Sequence, residues 1–467
     1  MEDLAASMDS WCREELSAVH LGDHRLDERL VVTAQHLLKQ PTAPINKACD
    51  DWADTKAAYR LFGNDNVTAD RILAPHRSRT HERLAKLPLV LAVQDTSYMN
   101  YSHHPDTKGL GSIGGVGQHS VKGLAMHSTM AFTPQGLPLG LLDQKIWARP
   151  PQLPAEERGY KKQAIELKES YRWLQSLRAA NQANVVTVCD READIFEFLL
   201  EAQTIGANYL IRAGQDRMLA REGAEAEPCS LWDFMGLMPR MAEQTVAVAE
   251  RPGTPARLAT VGVHHAKVNI KPPANRKKSR GQGAFAPITT YAVWVMEIDP
   301  PAGVDPLEWM LLTNVPVITT ADAIERINWY KIRWGIETYH KVLKSGFRVE
   351  DCRLSTAERL VRYLALTCVV AFRVFWLTYL NRHSPESPCT SALAQHEWQA
   401  LYCKINKTTE LPATEPTVRQ AVRWIAQLGG FLARKSDGEP GVMTIWRGWQ
   451  RLADIADTWL LLQPNPS

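Results

Sequence analysis

Apolar residues in the first part of the chain recur at helical intervals. Leu26, Leu30, Val31, Leu37 and Leu38 mark one side of a helix that Asp23 can cap. A second helix is predicted over 50–62, closed by the turn-forming Gly63-Asn-Asp-Asn. Further on the pattern changes to short, uninterrupted apolar runs. Leu87-Pro-Leu-Val-Leu-Ala-Val93 and Asn184-Val-Val-Thr-Val-Cys189 read as strands buried on both faces, and they end in Asp95 and Asp190. A loop rich in Gly and His over 109–119 follows the first of these. Residues 122–132 and 137–147 flank Thr133-Pro-Gln-Gly136 and predict a hairpin.

Pro150-Pro-Gln-Leu-Pro154 stops the sheet, after which a helix is expected over 156–178. Beyond Asp190 come a helix over 192–202 and a strand over 207–212. This order, β-β-β-α-β-α-β with a final long helix beginning at Asp322, predicts an α/β ribonuclease-H-like mixed sheet. Residues 215–306 interrupt it with β-type segments (244–249, 256–270, 286–298), and Leu307-Glu-Trp309-Met-Leu-Leu-Thr-Asn314 resumes it. From Leu354 onward the pattern is helical and rich in Trp and Leu, with a break at 384–388. The expected domains are therefore 1–70 (helical), 71–373 (catalytic, with a β-rich insertion at about 215–306) and 374–467 (helical). The most apolar stretch, 360–380, carries Arg362 and Arg373, and its uncharged part, 363–372, is too short to span a bilayer. It is expected to be a buried helix.

Composition narrows the class. The chain has 467 residues, 45% hydrophobic and 22% charged, with a net charge of +3. Any nucleic-acid site must therefore come from local segregation of charge. Residues 1–70 are acidic on balance, although Arg25, Arg29, Lys39, Lys56 and Arg60 can reach phosphate, whereas 261–285 carries Lys and Arg and no acid. The cysteines (Cys12, Cys49, Cys189, Cys229, Cys352, Cys368, Cys389, Cys403) never cluster. That excludes a zinc knuckle or disulfide scaffold and fits a reducing cytosol. The N-terminus is acidic and lacks an apolar core, so no signal peptide is expected.

The candidate chemistry sits on the long helix. At about 100° per residue, Tyr330, Arg333, Glu337 and Lys344 fall within an arc of about 60°. Such a stripe is often only a solvated face with one ion pair. Asp95 and Asp190, each at a strand end, change the weighting, because open α/β sheets gather active sites there. With Glu337 they make a three-carboxylate set, which stays close and ionised only with cations. Mg²⁺ or Mn²⁺ suits such oxygens, and an ion pair about 3.5–4 Å apart serves phosphodiester cleavage.

These residues resemble the bacterial cut-and-paste DDE transposases of the insertion-sequence group typified by the Tn-five transposase. The resemblance rests on Leu21-Gly-Asp-His-Arg25, Ala58-Tyr-Arg60, Gln94-Asp95-Thr-Ser, Gly111-Ser-Ile113 and Val188-Cys-Asp190-Arg-Glu-Ala-Asp-Ile195. It continues through Trp309-Met-Leu-Leu-Thr313, the spacing Tyr330-x2-Arg333-x3-Glu337-x6-Lys344, Leu428-Gly-Gly-Phe431 and Trp446-x2-Gly-Trp449. It thus runs from end to end of the chain and is weakest over 215–285.

The resemblance implies that Asp95, Asp190 and Glu337 hold two Mg²⁺ ions per active site, with Mn²⁺ substituting. It implies that Tyr330, Arg333 and Lys344 hold phosphates of the transposon end, with Lys341, Arg353 and Arg212 as further DNA contacts. Trp309 would stack on a base flipped from the duplex during hairpin formation. The N-terminal helices, with Arg25, Arg29, Lys39 and Arg60, would read the terminal inverted repeat. The C-terminal helices would pair two subunits on double-stranded DNA, in the bacterial cytoplasm at the nucleoid and without a membrane. Two rivals share parts of this pattern: a ribonuclease-H-like nuclease that cuts without strand transfer, and a non-catalytic DNA-binding inhibitor of transposition. The first needs neither the basic insertion nor a pairing domain, and the second has no use for an intact carboxylate triad.

Overall fold

The computed structural model describes residues 8–115, 120–150, 169–220, 227–248, 256–274, 285–434 and 437–463. The chain begins with five helices: α1 (Met8–Glu15), α2 (His24–Lys39), α3 (Ile45–Ala48), α4 (Trp52–Phe62) and α5 (Ala69–Leu84). As expected, Asp23 caps α2, its carboxylate accepting the Arg25 N–H at 2.9 Å, and Gly63 closes α4. α5 is absent from the sequence expectation. It carries Pro75 and a largely polar surface, and its start is set by the Thr68 hydroxyl, which accepts the Arg71 N–H.

Strand β1 (Val90–Asn100) follows, then β2 (Gly111–Gly114) within the expected Gly/His loop, whose residues 116–119 lie outside those described. The hairpin is β3 (Val121–Phe132) and β4 (Pro138–Trp147), paired antiparallel. Of the helix expected over 156–178, the described part is α6 (Ser170–Ala180). Next come β5 (Val185–Cys189), α7 (Phe196–Ile205) and β6 (Asn208–Arg212). α7 starts later than expected, because Asp190 first caps a single 3-10 turn, Arg191–Ala193.

The segment 215–306 contributes the short α8 (Leu231–Gly236), not foreseen, and β7 (Ala242–Val248), β8 (Arg257–Ile270) and β9 (Ile288–Glu297). After β10 (Glu308–Thr313) the chain is helical: α9 (Thr320–Ile332), α10 (Trp334–Lys341), α11 (Ala357–His383), α12 (Gln395–Asn406), α13 (Val418–Leu428) and α14 (Val442–Leu462). α9 starts at Thr320 rather than Asp322. Thr319 and Asp322 form a capping box that satisfies the first-turn N–H groups.

Two compact units result. One comprises Met1–Leu87, Thr96–Tyr160 and Gly335–Ser467; the other comprises Pro88–Asp95 and Lys161–Trp334. In the second, β1 pairs parallel with β5 and β5 with β6; β6, β10, β9, β8 and β7 then follow antiparallel. This mixed sheet, with its crossover helices, is ribonuclease-H-like. The insertion does not interrupt it, as expected from sequence, but lengthens it: β9 pairs directly with β10 from Met296–Glu308 to Tyr291–Thr313. Trp173, Leu177, Phe198, Leu199, Tyr209, Ile211 and Leu312 form its core between α6, α7 and the strands.

The first unit is built around α11. By length and composition this helix can cross a bilayer, but 89% of its most apolar stretch is buried inside the protein. It is the buried helix expected of 360–380. α1 is fastened at both ends by buried polar groups: the Met8 N–H donates to Glu397 Oε1 at 2.9 Å, and Glu15 is paired with Arg83 and lies 2.5 Å from His76 Nδ1.

The glycine motifs near the C-terminus serve helix packing. A Cβ on Gly448 of α14 would overlap the Ile425 carbonyl of α13, and one on Gly429 would overlap the Thr444 carbonyl. Backbone cannot yield as a side chain can, so Gly448→Ala is expected to destabilise the protein by about 1–3 kcal/mol through overpacking. Urea titration checks this, and an unchanged midpoint would show that α13 and α14 can separate at no cost.

Candidate active site

Strand register brings the two aspartates level. Val90 lies opposite Val185 and Val93 opposite Val188 in the parallel β1–β5 pair. Two residues farther along each chain stand Asp95 and Asp190. Residues two apart share a face and adjacent strands lie about 4.8 Å apart, so both carboxylates are delivered to one face at one level. Both are half-buried. Asp95 does not end its strand, as the apolar run suggested. β1 continues to Asn100, and Asp95 marks the point where its residues pass from buried to half-buried.

The charge of Asp95 is felt at Asp190. Burial makes Asp190 harder to ionise, and the charge of Asp95 adds to this. The Glu192 backbone N–H and the Arg333 guanidinium act in the opposite direction, and the net result is a raised pKa. Cys189, between the strand core and Asp190, is pushed up by burial, with Asp190 and Asp95 adding to the shift and Arg333 opposing it. The charge of Arg333 is thus felt at Asp190 and at Cys189.

α9 contributes the aromatic and cationic wall. The Arg333 guanidinium lies 5.8 Å from the centre of the Tyr330 ring, and the Trp309 ring meets Tyr330 edge-on at 5.4 Å. Burial raises the Tyr330 phenol, opposed by Arg333 and Arg212 and supported by Asp190. Arg212 donates to the Glu308 carbonyl at 2.9 Å, next to Trp309 in the chain. Asp95, Asp190, Arg212, Trp309, Tyr330 and Arg333 thus come together within one unit.

The remaining predicted residues lie in the other unit. α9 and α10 are joined at Arg333 with helical dihedrals, its N–H bonding to the Tyr330 carbonyl at 3.1 Å, and Glu337 follows one turn later, half-buried. The regular stripe expected to reach Lys344 does not persist. After Lys341 the chain widens into a π turn, Val342–Gly346, which carries Lys344. The turn is fixed by packing, since a side chain on Gly346 would run into the ring of Trp446. Gly335 has a similar reason: its Cβ would meet the Phe132 ring at 2.9 Å. Lys341 and Arg353 are exposed. Among the N-terminal residues, Arg25 and Arg60 are exposed and Arg29 is half-buried, while Lys39 bonds to Asp457 at 3.3 Å.

Two supporting residues escaped sequence reasoning. Asp194, the second acid of Asp190-Arg-Glu-Ala-Asp194, is buried. It accepts the N–H groups of Gly214 and Gln215 at 2.8 and 2.9 Å and Arg217 Nε at 2.9 Å. It holds the loop that follows β6 and Arg212. Glu308 Oε1 accepts the indole N–H groups of Trp232 and Trp294, each at 2.8 Å, and so anchors the strand start beside Trp309. Only the repeat of an acid within the motif hinted at the first; nothing in the sequence singled out the second.

Three family models match along the chain. A transposase DNA-binding family model matches residues 8–67, a transposase DDE domain matches 167–372, and the dimerisation domain of the Tn5 transposase matches 369–459. Among solved structures, the chain is similar to a piggyBac transposase synaptic complex with hairpin DNA determined by cryo-EM. Identity is 8% and the TM-score 0.35, covering 99% of this chain and 80% of that one. With the DNA-binding, DDE and dimerisation models matching in that order along its length, the chain belongs to the Tn5-like DDE transposases.

Proposed function

We propose that this transposase excises its element by nicking each end and forming a hairpin there, and that it then joins the 3′ ends to target DNA. Asp95, Asp190 and Glu337 are its metal ligands. The observation that carries the reading is the pair Asp95 and Asp190, held level on adjacent parallel strands, with the charges of Asp95 and Arg333 both felt at Asp190. Divalent-metal dependence follows from membership of the DDE family, and the residues fit such an ion. A carboxylate that burial and a neighbouring aspartate make harder to ionise gains from a hard dication, and oxygen donors suit Mg²⁺, in two ions per site, with Mn²⁺ as substitute. When bound, such ions lower the pKa of an attacking oxygen and steady the leaving one.

The chain's own groups do the rest. Arg333, Lys344 and the Tyr330 hydroxyl hold phosphates of the transposon end, while Lys341, Arg353 and Arg212 extend the track along the backbone. Trp309 receives a flipped base. Residues 1–70, through Arg25, Arg29, Lys39 and Arg60, read the terminal inverted repeat. Residues 374–467 pair two protomers across the synapse, and 71–373 carries the chemistry, in the bacterial cytoplasm at the nucleoid. A labelled end incubated with the protein and Mg²⁺ should pass from nicked to hairpin form, and a supercoiled target should then acquire the end. Cleavage without any joined product would replace this reading with a nuclease.

Phosphate holding makes a separate prediction. End binding should weaken with salt, and Lys344→Ala should flatten the log–log salt dependence by about one unit. Fluorescence anisotropy across a salt series measures it. Unchanged slope and affinity would leave Lys344 on a solvated face.

A further inference from the structure

We propose that His36, Asp50 and Asp54 form a binding site for a transition-metal dication of the Zn²⁺ class, separate from the candidate active site. His36 comes from α2; Asp50 and Asp54 come from the turn before α4 and from its first turn. Their donor atoms all lie within 4.8 Å of one another. His36 Nε2 is 3.3 Å from Asp50 Oδ2 and 3.8 Å from Asp54 Oδ2. Both distances exceed the usual range of an N–H···O hydrogen bond, and among the described residues neither ring nitrogen makes another hydrogen bond. The imidazole is nevertheless about nine-tenths buried, with its side chain 9% exposed, so the packing of α2 aims Nε2 at the gap between the two carboxylates.

An ion pair alone explains this poorly. One imidazole, charged or neutral, faces two carboxylates, and Asp51 adds a third acid whose side chain is committed to the Asp54 N–H at 2.8 Å. Donors on a common metal at bond lengths of about 2.0–2.2 Å stand about 3–4.4 Å apart. The 3.3 and 3.8 Å separations fit that range. The exposed Asp50, with its side chain 85% accessible, can turn to close the third. One imidazole and two carboxylates, with room for water in the open positions, suit Zn²⁺, Co²⁺ or Mn²⁺. Mg²⁺, which prefers an all-oxygen shell, is disfavoured. Such an ion would fasten α2 to the start of α4 within the segment that matches the transposase DNA-binding model.

The test uses the full-length protein carrying Asp95→Ala and Asp190→Ala, so that the candidate active site does not contribute. Equilibrium dialysis against Zn²⁺ in excess Mg²⁺ should show one tightly held equivalent, and Co²⁺ should give a visible d–d band in the same protein. Adding Asp50→Asn should raise the apparent Kd at least about tenfold and bleach the band, and His36→Gln should do the same. Asp50 is too exposed for its substitution to unfold the chain, and circular dichroism controls for the His36 variant. No bound equivalent in the parent protein, or undiminished binding in Asp50→Asn, would overturn the site. Neither outcome bears on the reading of the chain as a transposase.

Discussion

Asp190→Asn is expected to abolish Mg²⁺-dependent nicking of a transposon end while leaving end binding close to that of the parent protein. The choice of Asn matters. Asp190 has two tasks: its carboxylate feels the charges of Asp95 and Arg333, and its Oδ1 also accepts the Glu192 N–H at 2.8 Å, capping the turn that leads to α7. Alanine removes both, whereas asparagine keeps an oxygen for the cap and removes only the charge. If the charge serves metal binding, loss of about 4 kcal/mol of charge stabilisation should slow cleavage about a thousandfold. Asp95→Asn and Glu337→Gln should behave alike.

A second readout is independent of turnover. Since Asp95 and burial both disfavour ionised Asp190, the metal-free Asp190→Asn protein should melt no lower than its parent. Mg²⁺ should raise the melting temperature of the parent and leave the variant's unchanged. Substantial nicking by any one of the three variants would remove that residue from the triad.

How much of this was readable depended on whether local sequence or distant packing set each feature. The runs at Val90–Val93 and Val185–Val188 declare buried strands because both faces are covered, so nearly every position is apolar. That Asp95 lies inside its strand was not legible. β1 continues through half-buried polar residues whose pattern alone does not distinguish strand from loop. α5 was hidden by Pro75 and by a polar surface that lacks a clear apolar stripe. The long motif helix was visible as far as Lys341. Its π turn was not, because contact between Gly346 and Trp446 fixes it, a residue pair far apart in sequence.

The β-rich insertion shows the same limit at the scale of the sheet. Its strands were recognised within a few residues, yet β9 joins β10 as a sheet neighbour, and alternation along a strand does not name its partner. In the candidate site, motif spacing placed Asp190 at the end of its strand and Tyr330, Arg333 and Glu337 on successive helical turns, but it missed that Asp95 lies inside its strand and Lys344 in a π turn. The groups that hold Arg212 and Trp309 in place, Asp194 and Glu308, act through hydrogen bonds to residues distant in sequence and became visible only in three dimensions.

Trp309→Ala should separate the first chemical step from the second. The indole is half-buried on β10, opposite Val295 and edge-on to Tyr330 at 5.4 Å. It therefore has an accessible part on a fixed platform, which a fully enclosed core tryptophan would lack. Hairpin closure needs a sharp reversal of the DNA backbone, and moving one base out of the stack relieves the crowding at a cost of a few kcal/mol. Stacking on an indole can return about 1–3 kcal/mol of that. The first nick needs only the intact strand and the carboxylates, so its rate should stay within about twofold of the parent. Attack of the new 3′-hydroxyl on the opposite strand should slow by about ten- to a hundredfold, the rate equivalent of the lost stacking. Nicked ends should accumulate on a denaturing gel while hairpin ends become scarce. An abasic site at the flipped position should rescue the variant in part, because an absent base costs nothing to unstack. If nicking and hairpin formation instead fall together and the abasic substrate rescues neither, Trp309 acts only by packing against Tyr330, and its assignment to the flipped base is wrong.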